Sequence, residues 1–311
     1  VTLGGETIEL HHARGETDDH LWGWMPEERW LFAGDFVIWN FPNAGNPQKV
    51  QRFPIEWAAA LRDMIAHGPE LLLPAHGLPI EGRDRIAAVL GDIAGALERL
   101  VSEVVDMMNA GEVLDTIVHS VHVPDDVLAK PYLRPLYDEP EFVVRNIWRQ
   151  FGGWWDGAPS RLKPAPDAAL AAELADLTGG ASTLIDRASA LSDAGEHRLA
   201  CHLADLAGWA APQDPGVHAA RALVYRARRL SPTEEALLGA TLGDPRFSLL
   251  DDGARLEGLR VEATMLQHLP NQLRITDVTL ASRYIFDMPG IHLVHFELTL
   301  QDIEHRFPVH P

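Results

Sequence analysis

The chain has 311 residues, 46% of them hydrophobic, which is enough for an ordinary globular core and for roughly two domains. Lys and Arg number 26 against 45 Asp and Glu, and the resulting net charge of -19 excludes a nucleic-acid surface and attraction to anionic lipid. The single cysteine, Cys201, excludes an intrachain disulfide and a thiolate zinc cluster, and no apolar run approaches the length of a membrane helix.

In chain order, the first 92 residues alternate short apolar strands with turns and helices. Residues 7–10 (TIEL), 21–25 (LWGWM), 30–33 (WLFA) and 70–73 (ELLL) are predicted strands, the last ending at Pro74. A helix is predicted from Phe53-Pro54 to Ala66, with Trp57, Leu61 and Ile65 on one face. A longer one runs from Arg83 to about Met108, where Ile86, Val89, Leu90, Ile93, Leu97, Leu100, Val101 and Val104 form one stripe. Residues 112–232 read as almost wholly helical. Their alanine-rich stretch after Asp167 suggests tetratricopeptide-type hairpins, in which small side chains let helices approach closely. Residues 260–265, 273–281 and 291–300 alternate as β-strands.

Each of three short segments leaves a strand, or enters one, with a possible metal ligand: Glu16 in GETDDH, Asp35 in FAGD and His76 in LLLPAHG. A rigid sheet edge positions such groups better than a loop alone. His20 is a further candidate ligand or a supporting donor, Asp18 and Asp19 are expected to support the site or face solvent, and His11 and His12 to be structural.

In this order, the three segments resemble the second half of the metallo-β-lactamase fold. Glutamate at position 16 is similar to the alkyl sulfatase branch, as are NAGNPQKVQR (residues 43–52), the segment GGWWDGAP and the helices after it; the resemblance covers about residues 1–230. It implies a partial αββα sandwich over residues 1–92, a helical dimerisation domain over 93–232 and a small β-rich C-terminal region over 233–311. It also implies two zinc ions per complete site, with Glu16, Asp35 and His76 as ligands and Asp35 bridging. The activity implied is hydrolysis of a small amphiphilic alkyl sulfate ester by a metal-activated water, in a homodimer. Lys49, Arg52, Arg134 and Arg145 are expected to receive the sulfate, and Trp148, Phe151, Trp154 and Trp155 are candidates for an alkyl-chain channel.

Two departures qualify these expectations. Phe142 stands where many alkyl sulfatases carry a histidine acid, which leaves Tyr137 or a metal-held water as proton donor. The family's HxHxDH ligands do not occur in this chain, and His119 and His122 have a different context. The start at Val1 is therefore expected to fall inside a domain, with a cytoplasmic location favoured and this chain alone inactive. Hydrolysis of another ester or thioester, and a non-catalytic dimerising module, remain open alternatives.

Overall fold

A computed structural model describes residues 1–3 and 5–228, together with the strands Ile285–Met288 and Ile291–Val294. Two compact units divide the chain at Pro164/Ala165.

The first unit opens with a small hairpin, β1 (Thr2–Leu3) and β2 (Glu6–Thr7). A five-stranded sheet follows, built from β3 (Glu9–His12), β4 (Leu21–Met25), β5 (Trp30–Gly34), β6 (Leu71–Pro74) and β7 (Ile80–Glu81) in that spatial order. Strands β5 and β6 run parallel, and the other neighbours are antiparallel. A parallel pair needs a crossover, here helix α1 (Pro54–His67). Its proline-led first turn and the left-handed Gly68 that ends it are ordinary helix signals.

Helix α2 (Arg83–Asn109) buries the stripe expected from its sequence and packs along α1. The short helices α3 (Leu114–Ser120) and α4 (Asp125–Leu128) lead to α5 (Pro140–Gly152). One continuous core joins the sheet to these helices, from Trp22 and Trp57 through Leu97 to Val143, Val144 and Ile147. The unit closes near α6 (Pro159–Leu162).

In the second unit, α7 (Asp167–Thr178), α8 (Ala181–Asp193), α9 (His197–Ala210) and α10 (Pro215–Ala227) bury Ala175, Ala188, Ala200, Ala204 and Ala207 together. Alanine at the contacts brings helix axes close, as the composition suggests. Strands β8 (Ile285–Met288) and β9 (Ile291–Val294) pair antiparallel. The strands expected over 260–265 and 273–281, and the rest of 291–300, lie outside the described residues.

Candidate functional site

Asp35 and His76 meet because β5 and β6 are parallel neighbours that end together. The Ala75 amide donates to the Gly34 carbonyl at 3.1 Å, so the residues after the two strands emerge side by side. His76 Nε2 then lies 3.3 Å from Asp35 Oδ1. Placing reactive groups beyond the carboxyl ends of parallel strands is the usual solution in open α/β sheets. Gly34 allows the sharp exit: its φ is +56°, and a Cβ there would come within 3.1 Å of His20 Nε2.

Glu16 arrives from the connection between β3 and β4. The Phe53 amide donates to the Gly15 carbonyl at 3.0 Å and draws this loop to the start of α1. Glu16 is held by the Asn43 side-chain amide and by Arg52 Nη2, which donates to Glu16 Oε1 at 3.0 Å. Arg52 is itself buried, with 4% of its side chain exposed. Burial and the facing Asp35 carboxylate push Glu16 up to about 7, although Arg52 pulls the other way. The imidazole of His76 beside it holds Asp35 below the usual carboxylate range, and the Asp35 carboxylate in turn raises His76.

His20 stacks on Phe36 with ring centres 4.1 Å apart, and burial lowers its pKa, which favours the neutral imidazole. Its Nδ1 is buried without a hydrogen-bond partner, as is Asp35 Oδ1, which His76 approaches without good alignment. Orphaned buried polar atoms are costly unless something binds them. Two adjoining carboxyl groups, two imidazoles and these unmet atoms suit a divalent cation, which would offset the repulsion between the carboxylates and satisfy the orphans.

The loop after Asp35 is pinned to α5 by contacts made far along the chain. The Gly45 amide donates to Asp138 Oδ2 at 2.6 Å, and the Glu139 amide to Asp138 Oδ1 at 2.9 Å. Full burial pushes Asp138 up to about 8 against the pull of these amides. The Asn146 side chain accepts from the Arg52 amide at 3.3 Å and donates to the Arg52 carbonyl at 3.0 Å. Asn46 Nδ2 lies 3.5 Å from the Tyr137 hydroxyl.

The structure thus brings together Glu16, Asp35 and His76, with Arg52 and, beside it, Tyr137. Lys49, Arg134 and Arg145 are exposed, and among the described residues no hydrogen bond or ion pair ties their side chains to this cluster. Trp148 is partly buried, whereas Phe151, Trp154 and Trp155 face solvent. Asp18 and Asp19 are exposed. Asn43, Asn46, Asp138 and Asn146 are supports that no spacing rule singled out; the one local sign was the acid before the proline-led start of α5.

A mixed sheet that presents ligand-type groups at adjacent strand ends, followed by alanine-rich helices, defines an α/β protein joined to a helical region. Residues 113–236 match the family model for alkyl sulfatase dimerisation. The chain is 28% identical over 232 residues to a linear primary-alkylsulfatase of Pseudomonas sp., an alignment that takes in 74% of this chain and 43% of the relative. Over 95 residues it is 30% identical to an atrochrysone carboxyl ACP thioesterase of Aspergillus novofumigatus, covering 30% of this chain and 27% of that one. Its fold matches that of the stereoselective inverting sec-alkylsulfatase Pisa1 from Pseudomonas sp. with a TM-score of 0.67 at 22% identity, over 76% of this chain and 40% of that one. Residues 113–236 are thus similar to the alkyl sulfatase dimerisation family, and the chain is similar to alkylsulfatases over about three quarters of its length. It spans less than half the length of these relatives.

Proposed function

We propose that this chain forms part of a metal-dependent hydrolase that splits alkyl sulfate esters into alcohol and sulfate. The observation that carries the reading is the pairing of Asp35 and His76 just beyond the ends of β5 and β6, with the partly buried Glu16 of the β3–β4 connection facing Asp35, in a chain similar to alkylsulfatases. Glu16, Asp35 and His76 would hold the ion, with His20 beside them. Zinc is the metal we assign, because imidazole and carboxylate donors suit it. A zinc ion supplies a water acidic near neutral pH and polarises the oxygens of the ester.

The chain's own residues divide the remaining work. Asp35 Oδ1 and His76 Nε2, 3.3 Å apart, would face the same ion. Arg52 and Asn43 keep the Glu16 carboxyl aimed at Asp35. We assign the Tyr137 hydroxyl, near Asn46, as donor of the proton that the leaving alcohol takes, in place of a histidine at position 142. Lys49, Arg134 and Arg145 are the exposed cations we assign to sulfate, whereas Arg52 is committed to Glu16 and acts on the ester through that carboxylate. The helices α7 to α10 are read as tetratricopeptide-like hairpins of a homodimerisation domain, and the sheet unit as part of a metallo-β-lactamase sandwich.

The test is sulfate release from a medium-chain alkyl sulfate by the protein that contains this chain, supplied with zinc. His76→Ala should reduce turnover at least about 100-fold, and the fold should survive, because 53% of the side chain is exposed. Undiminished sulfate release in that variant would remove His76 from the site. Hydrolysis of thioesters but not of sulfate esters would transfer the site to the chemistry named for the fungal relative.

A further inference from the structure

We propose a second, independent metal site, formed by Glu9 and His11 of β3 and by His67 at the end of α1, of a kind that takes a late first-row ion such as Zn2+ or Ni2+. It lies at the other end of the β5–β6 pair from Asp35 and His76. His67 precedes β6, and Arg29, just before β5, donates to the His67 carbonyl at 3.1 Å.

One potential ligand atom from each of the three residues lies within 4.8 Å of the other two. His11 Nε2 is already 3.5 Å from Glu9 Oε2. Two donors on a tetrahedral zinc stand about 3.4 Å apart, given bonds of about 2.1 Å. The pair is therefore at ligand spacing before any ion binds, with a ring nitrogen of His67 within 4.8 Å of both.

Each ring is oriented by its surroundings. His11 and Glu9 pair across β3 and β4 with Trp22 and Trp24, so both point to the same face of the sheet. The His11 ring stacks on Trp22 at 4.0 Å with an interplanar angle of 9°. His67 meets His11, Trp22 and Trp24 edge-on, with centroid distances of 5.3, 5.2 and 5.4 Å. His67 Nδ1 lies 2.9 Å from the Asp63 carbonyl, and a carbonyl only accepts, so Nδ1 carries the proton and Nε2 presents its lone pair. Fixing the ligand tautomer through the other ring nitrogen is a common feature of metal-binding histidines.

An unmet atom sits among these groups. His11 Nε2 is buried and makes no hydrogen bond. With two imidazoles, one carboxylate and partly exposed side chains that leave room for water, the donor set suits a late transition ion and not Ca2+ or Mg2+. An ion here would clip the edge strand β3 to the end of α1, a structural role that requires nothing of the other site.

The experiment uses the full chain with the first site disabled by Asp35→Asn and His76→Gln. Titration with Zn2+ or Ni2+, followed by calorimetry and by the melting midpoint, should show one ion bound and a raised midpoint. Adding His67→Gln should abolish that binding. Adding Glu9→Gln should weaken it at least about tenfold without changing the metal-free midpoint, because the Glu9 side chain is 49% exposed. Without the disabling pair, the same losses read as one fewer ion bound by His67→Gln than by the unaltered chain, so a background that fails to fold does not spoil the test. No ion bound by the disabled chain, or unchanged affinity after His67→Gln or Glu9→Gln, would overturn the proposal.

Discussion

Glu16 shows how a single carboxyl couples the site to the stability of the unit that holds it. Its pKa of about 7 in the folded chain, against the usual 4.5, means that the fold binds this proton more tightly than the unfolded chain does. Asp138, at about 8 against 3.8, behaves in the same way. For acids raised on folding, stability falls as pH climbs from the unfolded to the folded value. His76, raised above 6.5, contributes stability that is present below that value and lost as pH rises through its folded one. Asp35 is lowered, and its contribution is lost only on acidification below its usual 3.8, outside this window. His20, lowered from 6.5 by burial, works the other way up to that value, so the metal-free chain should melt at progressively lower temperature between about pH 6.5 and pH 8.5, as read by circular dichroism. A midpoint that climbs across that range would show that Glu16 and Asp138 are not held as described. Arg52 carries a separate prediction. Removing one partner of a buried ion pair costs about 3–5 kcal/mol, so Arg52→Ala should lose on the order of 3 kcal/mol in urea melts and push Glu16 to a still higher pKa. Arg52→Lys should recover only part of the loss, because an ammonium lacks the guanidinium fork. An Arg52→Ala chain as stable as the parent would make that pair a surface contact in solution.

At the scale of elements, the local ones were legible and their meetings were not. Residues 21–25, 30–33 and 70–73 emerge as β4, β5 and β6 within a residue at either end, and α1 and α2 within about one. Alternation and one-turn spacing report burial on a single face, which is a local property. The two-residue strands β1, β2 and β7 carry too few positions to show a period. Asp35 and His76 each stand one or two residues past a strand end, where a turn signal marks the chain, whereas Glu16, midway between β3 and β4, was singled out only through the family resemblance. The supports were missed because their contacts span the sequence: Gly45 and Asp138 are 93 residues apart, and Gln51 reaches Asn146 across 95. Gly45 tests this junction most sharply. A Cβ there would lie 2.1 Å from the Val143 nitrogen and 2.2 Å from the Phe142 carbonyl carbon, backbone atoms of α5 that cannot rotate away. Gly45→Ala should cost at least about 2 kcal/mol and should lower turnover, since the displaced loop carries Asn43 and Asn46. Calorimetry beside an activity assay reads both. An unchanged midpoint would show that the loop and α5 are not packed together in solution.

For the whole molecule, the matched dimerisation segment does not coincide with one compact unit. Residues 113–236 begin inside the core that supports the site, where Leu114, Ile117, Val143, Val144 and Ile147 are buried with the sheet helices, and continue past Pro164 into the alanine-lined helices. The proposed homodimer must also form between chains of net charge -19, so long-range electrostatics opposes it. Apolar surface has to supply the attraction, and the helices after residue 164 expose Leu170, Leu177, Leu199 and Leu223, with Leu177 81% exposed. Burial of such side chains contributes about 25 cal/mol per Å2 of apolar area, and salt leaves that contribution in place while it screens the repulsion. The expected outcome is a dimer by light scattering at micromolar concentration, with a dissociation constant that decreases as sodium chloride is raised from about 0.05 to 0.5 M. Leu177→Glu and Leu223→Glu should each weaken it by adding charge to an already acidic surface. A monomer under all these conditions would remove self-association from the reading. A dimer that salt dissolves would instead mean that ion pairs, and not the exposed leucines, hold the subunits together.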